Sequence, residues 1–209
     1  MKAWISKILK AIFGKKEPQV TPIEQKQDTV GSVGTGKKVA LIVGHGAGDG
    51  GAEAFNGMSE FNYNSFVAEE VEKAIKNKQI KVFYRGAGGI AGVASKAVAW
   101  NPEVCIEMHL NSFNGIAAGC EVLVLNGDEE SAKLARQFAS SFCTKFSRKL
   151  RGDKGVKWLA SSERGGLSLK CLSPIKQAIL IEPFFCDNEK EWIEPIMYAK
   201  FLTGFIDEL

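Results

Sequence analysis

Apolar residues along the chain fall into two alternating kinds of segment. Val39–Val43 (VALIV) is uninterrupted and β-branched, as expected of a strand covered on both faces. The runs 81–85 (KVFYR), 105–110 (CIEMHL), 120–125 (CEVLVL) and 178–182 (AILIE) are of the same kind. Between them the spacing changes to that of helices. Phe66, Val67, Val71, Ala74 and Ile75 predict a helix over 59–78, and a second follows the glycines at 86–92 and runs to about Trp100. Leu134, Phe138, Phe142 and Phe146 stand four apart and predict a helix over 129–150, after the turn Asn126-Gly127-Asp128. A last helix is expected from about Asn188 to the end, and 151–168 reads as loop. Strands alternating with helices predict an α/β fold, a single three-layer domain over 38–209. Its mostly parallel, twisted sheet would have about five to six strands flanked by helices.

The first 37 residues follow another pattern. Trp4, Ile5, Ile8, Leu9, Ile12 and Phe13 share one helical face, with Lys2, Lys7 and Lys10 off it. Residues 1–16 therefore predict a basic amphipathic helix suited to contact with an anionic membrane surface. Residues 17–37, with two prolines and GSVGTG, read as a flexible linker.

Composition and charge narrow the class. The chain has 209 residues, 45% of them hydrophobic and 24% charged, which excludes a disordered or collagen-like protein. The net charge is +3, but residues 1–38 carry eight Lys against three acids, a balance of +5, so the rest carries −2. The body is thus not a nucleic-acid binder. Five cysteines at 105, 120, 143, 171 and 186, with no C-x-x-C, fit neither a disulfide framework nor a cysteine zinc site. Cys105, Cys120 and Cys186, in or beside apolar strands, read as small buried hydrophobes, and the set as a whole fits a protein made in a reducing cytoplasm. No apolar run approaches the roughly 20 residues that span a bilayer. Lys7 and Lys10 interrupt what would be the core of a cleavable secretory signal.

The chain has only two histidines, His45 and His109, each at or just past the end of an apolar strand. Ligands of open α/β sheets bind beyond those ends. Glu60 stands at the start of the first helix and Glu182 at the end of AILIE, where an unpartnered carboxylate is costly. Two imidazoles and one carboxylate make a catalytic zinc set with a fourth position for water, and a further carboxylate can serve as general base. Glu53, in the loop after His45, is a rival ligand to Glu60. Glu107, two residues before His109, is read either as a carboxylate orienting that histidine or as an outward surface residue. The glycine-rich stretch 44–52 fits neither phosphate-binding fingerprint.

In this order and strand context the motifs resemble the zinc-dependent N-acetylmuramoyl-L-alanine amidases of the amidase-3 type, over about 39–209. The resemblance lies in an apolar strand running into Gly44-His45-Gly46, and in Gly57 followed by Glu60, Asn62 and Asn64. It continues in His109-Leu110-Asn111 and in Glu182-Pro183-Phe184 with Asn188. The chain departs from the family pattern at Ile42-Val43, at Glu107 and at Pro183. The resemblance implies one zinc per chain on His45, Glu60 and His109, Glu182 as the catalytic acid/base, and peptidoglycan as substrate. The small size, with no wall-binding repeat and no cleavable signal, points to a phage-type endolysin, made in the bacterial host cytoplasm and acting at the cell wall or periplasm. The alternatives are a non-catalytic peptidoglycan-binding module of the same fold and a zinc carboxypeptidase acting on wall peptides.

Overall fold

The computed structural model describes residues 26–31 and 36–209; the amphipathic stretch 1–16 lies outside them. β1 (Lys38–Val43) is the strand the apolar run predicts, and Val39 through Val43 are all fully buried. Its side chains alternate between two cores. Val39, Leu41 and Val43 face one that includes Phe61, Val67 and Val71 of helix α1 (Glu60–Ala74). Ala40 and Ile42 face the other, with Val93, Ala94 and Ala97 of α2 (Gly89–Ala99). A strand buried on both faces between helices on either side is the three-layer arrangement expected.

The remaining strands are β2 (Gln79–Tyr84), β3 (Val104–Met108), β4 (Glu121–Leu125), β5 (Val156–Leu159) and β6 (Gln177–Glu182). The helices after α2 are α3 (Glu129–Phe146), α4 (Gly166–Leu172) and α5 (Pro195–Asp207). The sheet order is β2-β1-β3-β6-β4-β5, parallel throughout except where β4 pairs with β6. The chain steps outward from β1 to β2 through α1, then returns through α2 to β3 on the other side of β1. That reversal leaves a crevice beyond the ends of β1 and β3, the usual ligand position in such sheets.

Some boundaries differ from the sequence reading. Strand β5 and the start of α4 lie within 151–168, expected as loop. The strand is only four residues long, and two glycines with positive φ, Gly152 and Gly155, precede it. At Gly155 a side chain would meet the Ala139 methyl at 2.4 Å, so the turn presses against α3. The last helix begins at Pro195 rather than Asn188, with proline in its first turn where its missing N–H costs nothing. Asn188 instead ties a turn, donating to the Ala117 carbonyl at 3.0 Å.

Part of the stretch read as a linker, residues 26–31, lies along the outer edge of β2. Thr29 donates its N–H to Val82 O and accepts the Val82 N–H on its hydroxyl, both at 3.0 Å. Asp28 accepts from the Tyr84 N–H at 2.9 Å and pairs with Lys96. This segment satisfies backbone groups that an edge strand would otherwise expose.

Candidate metal centre

β1 runs into Gly44, and β3, its neighbour, runs into His109. The Gly44 N–H donates to Met108 O at 3.0 Å, which locks the two strand ends together. A side chain at Gly44 would sit 2.4 Å from the His109 ring, so glycine is required for the ring to lie there. Gly51 has φ +73°, and a side chain there would meet Glu60 Oε2 and the His45 ring, each at 2.6 Å. The glycine-rich loop thus clears space for imidazoles and a carboxylate.

Glu60 is the first residue of α1, fixed by the Ser59 cap, whose hydroxyl accepts the Asn62 N–H at 3.2 Å. Its carboxylate is buried and accepts two backbone N–H groups, Leu110 at 3.0 Å and Ala52 at 2.9 Å. Glu60 Oε1 lies 2.8 Å from His109 Nδ1, and Oε2 lies 3.5 Å from His45 Nε2. One ligand atom from each of His45, Glu60 and His109 falls within 4.8 Å of the others. Zinc takes this mixture of imidazole nitrogen and carboxylate oxygen, and three protein ligands leave a position open. The donor set therefore fits the expected ion. Glu53 is exposed and stands outside this cluster.

The nitrogens turned away from Glu60 are also held. His45 Nδ1 lies 2.9 Å from Asp49 Oδ2, and His109 Nε2 lies 3.1 Å from Glu107 Oε1. Glu107 is buried, which selects between its two sequence readings: it faces the histidine rather than solvent. Burial alone would lower the His109 pKa, but hydrogen bonds to Glu107 and Glu60 outweigh it and raise it to about 10. Burial likewise opposes ionisation of both glutamates, yet the His109 partner keeps each below the usual carboxylate range.

Glu182 stands apart from this cluster at the end of β6, next to β3; His109 N–H donates to the Ile181 carbonyl at 3.0 Å. Its cross-strand partner is Glu121 on β4. Glu121 is held as an anion by Asn111 Nδ2 at 2.8 Å and Arg151 Nε at 3.1 Å. Burial, then the Glu121 charge opposite, raises Glu182 to about 7. Glu121 was not visible as a site residue in sequence. Its role comes from an antiparallel register between strands more than fifty residues apart, and the only local signal is a charge opening an apolar strand. Arg151 braces Glu121, and its guanidinium lies 4.8 Å over the Phe185 ring.

A profile of the family described as Amidase_3, N-acetylmuramoyl-L-alanine amidase, matches residues 39–193. No curated protein matches the chain by sequence. Solved structures share its fold. An N-acetylmuramoyl-L-alanine amidase from Clostridium difficile 630 aligns with TM-score 0.63 and 22% identity, covering 82% of this chain and 93% of its own. The catalytic domain of the CD27L endolysin, which targets Clostridium difficile, gives 0.61 and 22%, covering 83% and 98%. The amidase Ami1 from Mycobacterium smegmatis gives 0.61 and 15%, also covering 83% and 98%. With the family match spanning most of the chain and the His-Glu-His cluster inside it, the protein belongs to the Amidase_3 family of N-acetylmuramoyl-L-alanine amidases.

Proposed function

We propose that this amidase cuts peptidoglycan at the amide between the lactyl group of N-acetylmuramic acid and L-alanine, using one zinc ion on His45, Glu60 and His109. The observation that carries this reading is the convergence of those three donors, with each ring's second nitrogen held by a separate carboxylate. When bound, zinc supplies a Lewis acid that polarises the scissile carbonyl and acidifies water. Glu182 is the general base: its carboxylate takes the proton of the attacking water and returns it to the leaving amine nitrogen. The pull of burial and of Glu121 on Glu182 suits a group that must both accept and release a proton near neutrality.

We further infer a phage-type endolysin, made in the host cytoplasm and acting at the wall, with residues 1–16 contacting the anionic membrane surface. The likeness in fold to an endolysin catalytic domain and the +5 balance of residues 1–38 support it.

Glu182→Gln is expected to keep the fold and the zinc while losing about 10²–10⁴-fold in turnover on purified peptidoglycan. Turnover at the parent rate would remove Glu182 from the mechanism. The pH profile follows from the same pair. A carboxyl raised toward 7 is protonated below that value and cannot act as base, so kcat/KM falls as pH drops through it. Glu121→Gln removes the repelling charge and lowers the Glu182 pKa, moving the acidic limb to lower pH. An unmoved limb would uncouple the two carboxylates. Deleting residues 1–25 leaves the segment on β2 in place. It is expected to slow lysis of intact cells while sparing isolated peptidoglycan, and equal loss on both substrates would count against membrane contact.

A further inference from the structure

Glu107 takes no part in the proton transfers assigned to Glu182, yet it is fastened by three partners. It is 1% exposed, in the middle layer of the fold, where an isolated carboxylate is strongly disfavoured. Three elements supply its partners. From just past the end of β3, His109 Nε2 lies 3.1 Å from Oε1. From α4, the Ser168 hydroxyl donates to Oε2. From the end of β2, Arg85 Nη2 lies 3.5 Å from Oε1. Ser168 is itself buried.

Residues two apart on a strand project to the same side, so Glu107 and His109 would meet in any case. The informative part is the direction of contact. Glu107 occupies Nε2, and the ring's remaining nitrogen, Nδ1, is the one 2.8 Å from Glu60. At His45 the roles are reversed: Asp49 occupies Nδ1, and Nε2 faces Glu60. The two supports differ in strength. Asp49 is 66% exposed and its hold is screened by solvent, whereas Glu107 is sealed from water.

We propose that Glu107, braced by Ser168 and Arg85, is a positioning residue that fixes the His109 ring and dictates that it binds metal through Nδ1. The inference rests on the zinc reading of the site. An imidazole that donates its second N–H to a carboxylate is fixed in one tautomer and is a more basic ligand. In this chain that function is concentrated on His109, because its partner is buried and anchored from two further elements. A structural ion pair with no bearing on the metal would show the same burial, so the test must read the metal and the ring.

The experiment uses the full-length protein loaded with zinc, beside Glu107→Gln, Asp49→Asn and Ser168→Ala. Zinc affinity is measured by competition with a chromogenic chelator, and the imidazole nitrogens are read by ¹⁵N NMR. Only two histidines exist, so only two ring spin systems arise, and the Glu107→Gln and Asp49→Asn variants tell them apart. In the parent, one ring is expected to bind through Nε2 and the other through Nδ1, with its proton on Nε2. Glu107→Gln should weaken zinc binding by about 10–100-fold and shift that Nε2–H signal. Asp49→Asn should cost less, and Ser168→Ala should weaken zinc in the same direction as Glu107→Gln. Parent-like zinc affinity in a folded Glu107→Gln, or both rings binding through Nε2, overturns the proposal and leaves the amidase reading intact. If Glu107→Gln does not fold, parent-like affinity in Ser168→Ala overturns it. A parent that takes up no zinc overturns the proposal and the zinc reading together.

Discussion

Burying a carboxylate at the end of a β-sheet is costly unless charge and hydrogen bonds compensate it, and much of this molecule is arranged around that constraint. Glu60 sits under the ends of β1 and β3 with two backbone N–H donors and an imidazole on either side. The helix that carries it must be capped at Ser59, so that Glu60, the first residue of α1, points into the crevice. Gly44 and Gly51 must lack side chains, so that the rings can approach it. The His109 imidazole, raised by its two carboxylate neighbours, offsets the Glu60 charge, and a cation bound there would take over that role.

The fold delivers these groups from distant parts of the chain with little adjustment. The strand order reverses at β1, so the loops after β1 and β3 open side by side, and each brings one histidine. On the far side of β3, β6 ends at Glu182 opposite Glu121. The carboxylates thus fall into two settings. Glu60 and Glu107 flank His109 and stay ionised, while Glu182 faces another anion and is raised toward neutrality. Environment alone separates groups suited to holding a cation from a group suited to moving a proton.

The alternation of apolar runs makes the α/β fold legible in the sequence, because strands buried on both faces are conspicuous. The histidines stood out because there are only two. β5 escaped because four residues, one of them an exposed lysine, carry too little pattern. The last helix starts at Pro195 rather than near Asn188, because the Asn188 side chain ties a turn to the Ala117 carbonyl. Glu107 keeps two readings in the sequence, because strand alternation gives the side a residue faces and not whether that side is covered. Glu121 shows in the sequence only as a charge opening an apolar strand, because its importance depends on antiparallel pairing with β6 across a long separation.

The central claim is that His45, Glu60 and His109 hold one zinc ion. Elemental analysis of the purified protein beside His109→Ala tests it most directly. The account predicts about one zinc per chain in the parent, as three-ligand catalytic sites hold, and its loss in the variant. A parent without zinc under conditions that strip no metal, or a variant that keeps it, would contradict the account.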